Sequence, residues 1–201
     1  MSRITIAPIV EGQGDEAALR TLLQRVWMGL LQGEYGEVLR PIRMSRGKLL
    51  LAEAGDLERA ANLAFNKLTQ AGGRGLILIL VDAEKYCQKV GPLGPILLER
   101  ARKARGDADI ACVIANVMYE TWLVAAAESL GKYLDLEGVA VPADPEGERC
   151  GKGWIKQRMR SGKYTETADQ AALTAVMDLR QCRERSRSFD KLCRELDRRL
   201  S

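Results

Sequence analysis

The run Leu76–Val81 constrains the fold more than any other stretch of this chain. It holds six consecutive apolar residues between Gly75 and Asp82. A strand without a polar face must be covered on both sides, and such strands occupy the centres of parallel sheets that carry helices on both faces. The run therefore predicts an α/β fold with a mainly parallel sheet.

Strand-like and helix-like segments alternate along the chain up to residue 138. The apolar patterns predict four strands, at Arg3–Val10, Glu37–Met44, Leu76–Val81 and Asp109–Val117. Helical periodicity separates them, except that SRGKLL at residues 45–50 is predicted to be a basic loop after the second strand. The alternation predicts a four-stranded, mainly parallel sheet flanked by helices.

The composition changes after Gly138. The stretch VPADPEGERCGKG is rich in proline, glycine and charge, which is typical of a linker. From Arg149 to Ser201 there are 14 Lys and Arg against 7 Asp and Glu. We expect an α/β domain at residues 1–138 and a basic helical extension packed on it at residues 139–201. The charge suits a polyanion-binding surface, although solvated helix faces explain it as well.

Several classes of site are excluded by composition. The chain has no histidine, which removes histidine-based triads and His-ligated metal sites. Five cysteines without a Cys-x-x-Cys pair, and no recognisable export signal, indicate reduced thiols and a cytoplasmic protein. No apolar run is long enough to predict a membrane span. Any metal site would use carboxylates, whose natural partners are Mg²⁺ or Mn²⁺.

Acidic residues follow three of the four predicted strands. Glu11 follows the first strand, and Asp82 and Glu84 follow the third. Glu120 lies after the fourth. The carboxyl ends of parallel strands meet at one edge of a sheet, and clustered carboxylates repel each other unless a cation lies between them. The four acids are therefore predicted to hold one or two divalent ions of the kind that assist phosphodiester cleavage. Structural roles, as helix-terminus acids or in a solvated turn, are the alternative.

A rival motif follows the first strand. Gly12-x-Gly14-x-x-Ala17 matches the dinucleotide-binding fingerprint. However, the neighbouring acids Glu11 and Asp15 would repel a pyrophosphate, and the second strand ends without an acid for the ribose. The motif supports only a weaker alternative, a nucleotide-binding regulator.

The order of these motifs resembles the TOPRIM fold, which topoisomerases, bacterial primases and OLD-family nucleases share. The chain is more closely similar to a small bacterial TOPRIM-like family, often encoded beside AAA-type ATPases, through the stretches IAPIVEGQGDEAAL, LILVDAEKYC, NVMYETWLVAAAESL and SRSFDKLCREL. The resemblance implies a Rossmann-like TOPRIM domain, with Glu11 as general acid or base and Asp82 and Glu84 as the metal-binding pair. TOPRIM proteins usually have Asp-x-Asp where this chain has Asp-x-Glu, which puts the geometry of the pair in doubt.

The sequence therefore predicts a Mg²⁺- or Mn²⁺-dependent nuclease, or nuclease-like component, acting on DNA or RNA in phage defence or genome maintenance. Glu11, Asp82 and Glu84 are the predicted catalytic residues, and Glu120 joins them as a metal ligand. Six basic residues are predicted to contact phosphates, although ordinary surface charge explains each one singly: Arg46, Lys48, Lys152, Lys156, Arg158 and Arg160. The alternative is a non-catalytic TOPRIM-like binding subunit of an AAA-type ATPase partner. The sequence leaves homo-oligomerisation open.

Overall fold

Five parallel strands form one sheet in the part of the chain that the structure describes. The structure is a computed structural model that describes residues 4–33, 36–72, 74–84, 90–147 and 151–199. The strands are β1 (Ile4–Val10), β2 (Glu37–Val38), β3 (Ile42–Arg43), β4 (Arg74–Asp82) and β5 (Asp109–Ala115). Their order is β2-β1-β4-β5, and β3 pairs with β1 further along that strand than β2 does. The mainly parallel α/β architecture is thus confirmed.

The prediction of four strands is wrong, because the second one is two strands. β2 pairs with β1 at Thr5 and Ile6, whereas β3 pairs with it at Ile9 and Val10. Pro41 lies between the two short strands. Proline has no N–H to donate to a sheet ladder, so the pairing is confined to the residues on either side of it.

β4 is the central strand, between β1 and β5. Leu76, Leu78 and Leu80 pack into one hydrophobic cluster, and the alternate residues Ile77, Ile79 and Val81 pack into the other. Both faces of the strand are therefore apolar and covered, as the six-residue run predicts.

Helices cover both faces of the sheet. One face carries α2 (Arg46–Leu50), α3 (Asp56–Gln70) and α4 (Val90–Ala104). The other face carries α1 (Gln13–Gln24), α5 (Glu120–Ala125), α6 (Gly151–Arg158), α7 (Ala171–Val176), α8 (Leu179–Arg185) and α9 (Arg187–Asp197). The predicted basic loop at residues 45–50 is thus mostly the short helix α2. Among the described residues, no helix is long and apolar enough to cross a membrane.

Three shorter helical segments complete this description. α1 continues as π-helix through Arg25–Leu30, a 3₁₀ turn spans Ala127–Leu130, and a second π-helical turn spans Glu166–Gln170. The turn at Glu166–Gln170 packs against α1 and leads into α7. It brings the C-terminal region to the start of α1.

The C-terminal helices share a core with the α/β part of the chain. Phe189 of α9 meets the Trp122 ring edge-on, with ring centroids 5.3 Å apart, and Trp122 Nε1 donates to Ser188 Oγ at 2.8 Å. Leu22 of α1 and Leu173 of α7 belong to the same buried cluster. The C-terminal helices therefore form one wall of that core. The predicted boundary after residue 138 stays a prediction.

Candidate functional site

A cleft of about 170 Å³ opens where β1 and β4 end and α5 begins. The four predicted acids, Glu11, Asp82, Glu84 and Glu120, all line it. β1 and β4 run parallel and side by side, so the residues that follow them emerge at the same edge of the sheet. The topology thus brings together the acids that the sequence places after separate strands.

Glu11 follows directly after β1 and is partly buried. Arg46 Nη1 donates to Glu11 Oε2 at 3.1 Å. Burial raises the pKa of Glu11 above its ordinary value, Arg46 opposes that rise, and the negative charges of Glu84 and Asp15 add to it. The carboxyl group therefore lies in a field set by both an arginine and other acids.

Asp82 is the last residue of β4. Its Oδ1 accepts a hydrogen bond from Tyr119 N at 3.0 Å. Burial raises the pKa of Asp82 well above its ordinary value, and the charges of Asp15, Glu120 and Glu11 raise it further. Asp82 is therefore a buried acid that lies close to three other carboxylates.

Glu84 lies two residues after the end of β4, and its backbone still bonds to the segment that continues β5. Ala83 N donates to Ala115 O at 2.9 Å, and Glu84 N donates to Val117 O at 2.7 Å. Glu84 has a φ of 43°, in the left-handed region that few residues other than glycine adopt. Its side chain is 44% exposed. These backbone bonds hold an unusual conformation that places the glutamate at the rim of the cleft, and such outliers are common at functional sites.

Glu120 begins α5 and is only 4% exposed. Tyr164 OH donates to Glu120 Oε1 at 3.1 Å. Burial raises the pKa of Glu120, while the hydrogen bond from Tyr164 and the charge of Lys152 lower it. The C-terminal region thus supplies the groups that stabilise this acid.

Asp15 is a cleft residue that the sequence did not assign to the site. It is 8% exposed, and it accepts hydrogen bonds from Gly12 N at 3.0 Å and from Gln170 Nε2 at 2.9 Å. Burial raises the pKa of Asp15. Asp15 lies in the first turn of α1, where an acid is also favoured simply by the helix terminus. The available signal was its position four residues after Glu11.

Gly14 has a packing role in the same region. A side chain at Gly14 would overlap the end of the Gln170 side chain and would crowd Glu166 Cβ at 3.1 Å, so the glycine lets the π-helical turn at residues 166–170 pack close to α1. This contact accounts for the second glycine of the dinucleotide fingerprint without a nucleotide.

Two of the six predicted phosphate-contacting residues lie at the acids. Arg46 Nη1 donates to Glu11 and to Asp82 O at 2.9 Å, and its Nη2 donates to Ala83 O at 3.0 Å. Lys152 lines the cleft and forms an ion pair with Glu166. Both cations are therefore engaged with the acidic site.

The other four predicted phosphate contacts do not line this cleft. Arg158 lies over the Trp154 ring at 4.1 Å, and Arg160 Nε donates to Gly131 O at 3.2 Å. Lys156 is exposed on α6. Lys48 lines a separate depression next to Glu11. Their role as phosphate contacts stays a prediction.

The donor set fits a hard divalent ion in its chemistry. Carboxylate oxygens are the ligands that Mg²⁺ and Mn²⁺ prefer, and five acids line the cleft together with Glu166. Within the described residues, however, no three acids are grouped so that they could hold an ion as they stand. Arg46 lies between Glu11 and Glu84, at 3.1 Å and 3.7 Å. An ion at these two carboxylates would have to take the place of the guanidinium.

Residues 10–197 match the family described as a domain of unknown function, DUF4276, and the chain belongs to that family. No curated protein and no solved structure matches it. The matched residues include every acid of the cleft, but the family description names no activity. The function therefore has to be argued from the site.

Proposed function

We propose that this DUF4276 chain is a TOPRIM-like, Mg²⁺- or Mn²⁺-dependent nuclease or nuclease-like component that cleaves phosphodiesters of DNA or RNA. The observation that carries the proposal is the convergence of Glu11, Asp82, Glu84 and Glu120 on one cleft at the strand ends. The resemblance of the motifs to TOPRIM proteins supports the same reaction class. Phage defence or genome maintenance in the cytoplasm is the proposed setting.

The acids have distinct proposed roles. Asp82 and Glu84 hold the ion, Glu120 completes the ligand set from α5, and Glu11 serves as general acid or base. A bound divalent ion supplies an activated water and stabilises the leaving oxygen. The pKa values of Glu11, Asp82 and Glu120 are raised without an ion. A cation among them favours their ionised forms, so binding should release protons.

The two cations at the cleft are the proposed phosphate-binding groups closest to the reaction. Arg46 and Lys152 lie at the acids, whereas Lys48, Lys156, Arg158 and Arg160 could contact the substrate only further away. We propose an AAA-type ATPase as partner and leave the oligomeric state to be measured.

The direct test is cleavage of labelled DNA and RNA with Mg²⁺, Mn²⁺ or a chelator. Asp82→Asn keeps the side-chain shape and removes the charge, and should lower the rate by at least about 100-fold. Glu137→Gln is the matched control, since Glu137 is an exposed acid that does not line the cleft. Equal rates for wild type and Asp82→Asn, or no metal-dependent cleavage with or without a co-encoded ATPase, would end the nuclease proposal.

A non-catalytic binding subunit is the second candidate. Two observations favour it: the arginine among the acids, and Glu84 in place of the usual second aspartate. A site that has lost its ion can be stabilised by a fixed positive charge instead. Titration of the wild-type protein with Mn²⁺ separates the two candidates, because the binding subunit takes up no ion at these acids.

A further inference from the structure

The guanidinium of Arg46 has the surroundings of a bound cation. Nη1 lies 3.1 Å from Glu11 Oε2, 2.9 Å from Asp82 O and 3.7 Å from Glu84 Oε2, and Nη2 lies 3.0 Å from Ala83 O. Two carboxylates and two carbonyl oxygens from the ends of β1 and β4 therefore share one positive charge. The Arg46 side chain is only 19% exposed.

The backbone that carries Arg46 is fixed independently of the acids. Arg46 is the first residue of α2, and Leu49 of the same helix is fully buried. Arg100 Nη1 donates to Leu49 O at 2.8 Å, while Arg100 Nε pairs with Glu58 at 2.8 Å. The helix is therefore anchored at its far end, and Arg46 can move its long side chain without moving its backbone.

A divalent ion and this guanidinium compete for the same oxygens. Glu11 and Glu84 cannot close on an ion while Arg46 lies between them. A metal ion and an arginine a few ångströms apart also repel each other. The competition concerns the two outer carboxylates, Glu11 and Glu84, which Arg46 contacts directly.

We propose that Arg46 is a tethered cation that weakens metal binding until an anionic phosphodiester draws it off Glu11 and Glu84. The inference rests on the proposed function. It makes Arg46 a positioning residue and makes the metal and the nucleic acid bind cooperatively. By linkage, each ligand then raises the affinity for the other by the same factor.

The first measurement is Mn²⁺ affinity by calorimetry, without nucleic acid. Arg46→Met keeps an unbranched side chain and removes the charge, and should bind Mn²⁺ at least about tenfold more tightly than wild type. Arg43→Met is the matched control. It removes the same charge from β3, where Arg43 is 44% exposed and pairs with Glu16 at 3.8 Å. Its affinity should stay close to that of wild type.

The second measurement is the affinity for a fluorescent single-stranded oligonucleotide, by anisotropy, with Ca²⁺ or a chelator at constant ionic strength. Ca²⁺ should tighten binding to the wild type well beyond its effect on Arg46→Met, because only the wild type has a tethered cation to displace. Arg46→Lys covers the case in which Arg46→Met does not fold. Lysine keeps the positive charge but cannot bond to the carbonyl oxygens of Asp82 and Ala83 at the same time. The Mn²⁺ affinity of Arg46→Lys should therefore stay within tenfold of the wild-type affinity.

The outcomes separate this inference from the proposed function. If wild type binds Mn²⁺ and Arg46→Met binds it no more tightly, the tethered-cation inference is overturned while the nuclease proposal stands. If Arg46→Met does not fold, an Arg46→Lys affinity at least tenfold above wild type overturns it equally. If no variant binds Mn²⁺, the metal site itself is wrong and both proposals fall.

Discussion

The inner and outer sides of the cleft hold their acids in different ways. On the inner side, the acids accept hydrogen bonds from uncharged donors. Asp15 accepts from Gly12 N and Gln170 Nε2. Asp82 accepts from Tyr119 N, and Glu120 accepts from the hydroxyl of Tyr164. On the outer side, Glu11 and Glu84 share the guanidinium of Arg46. Neutral donors leave most of the negative charge uncompensated, whereas arginine cancels part of it. Burial therefore raises the pKa values of the inner acids with no arginine bonded to them, whereas Arg46 opposes such a rise at the outer acid Glu11.

The largest expected effect is a pH dependence that comes from the inner side. The folded-state pKa values of Asp15, Asp82 and Glu120 lie above their ordinary values of 3.8, 3.8 and 4.5. Between the ordinary and the raised pKa values, the folded protein binds more protons than the unfolded chain. The contribution of these acids to stability is therefore fully present at a pH below their ordinary pKa values, and it is lost as the pH rises through their raised pKa values. The slope is at most about 1.4 kcal/mol per pH unit for each group.

Thermal melting in chelator, followed from pH 4 upward, measures this effect. Asp82→Asn removes one of the coupled groups and should flatten the fall, whereas Glu137→Gln, an exposed acid, should not. Parallel curves for wild type and Asp82→Asn would show that the acids of the inner side do not titrate together.

A smaller effect is expected when an inner acid loses its hydrogen-bonding function. Asp15→Ala leaves Gly12 N and Gln170 Nε2 without their acceptor and should destabilise the fold by about 2 kcal/mol. Asp15→Asn keeps one acceptor oxygen for Gly12 N and turns the other position into an NH2 group, which Gln170 can meet by presenting its own amide oxygen. It also removes the repulsive charge, so it should be closer to wild type than Asp15→Ala. Chemical denaturation compares the two variants, and equal losses would mean that charge rather than hydrogen bonding holds Asp15.

A further variant removes a hydrogen-bond donor of the inner side instead of an acceptor. Tyr164→Phe deletes the hydroxyl that donates to Glu120 and should cost about 1 kcal/mol. Tyr133→Phe is the control, because the Tyr133 hydroxyl makes no hydrogen bond to another described residue. Denaturant midpoints for the pair give the difference. An equal loss of unfolding free energy in Tyr133→Phe would show that the hydrogen bond from Tyr164 to Glu120 does not stabilise the fold.

The smallest expected effect lies on the outer side. Glu84→Asp shortens a side chain that is 44% exposed and 3.7 Å from Arg46, so stability should change by less than about 0.5 kcal/mol. The same change creates the Asp-x-Asp usual in TOPRIM proteins, so the proposed nuclease function requires that metal-dependent cleavage persists or increases. A melting curve and the cleavage assay check both parts, and abolished cleavage in a folded variant would tie the chemistry to the longer glutamate.

Sequence patterns located the strand ends but not the contacts across the cleft. The apolar run Leu76–Val81 fixes the central strand, and parallel topology then brings Glu11 and Asp82 to one edge without any knowledge of side chains. The bond between Gln170 and Asp15 joins residues 155 positions apart, and no local periodicity encodes such a pair. Arg46 is predicted from the sequence to contact phosphate, and the sequence does not reveal that its side chain also bonds to an acid of the cleft. A long, flexible side chain has several partners within reach, and only the packed structure selects one.

The contact between Gly14 and Gln170 joins an early and a late segment of the chain, so the cleft can be completed only after residue 170 has been synthesised. A nascent chain that has emerged only as far as residue 147 contains both strand ends and the acids Glu11, Asp15, Asp82 and Glu120. It lacks Lys152, Tyr164 and Gln170, which form the opposite wall. Until the late segment has folded, Asp15 and Glu120 lack the hydrogen bonds that Gln170 and Tyr164 donate to them. The cleft is therefore complete only when the C-terminal helices have packed against α1 and α5.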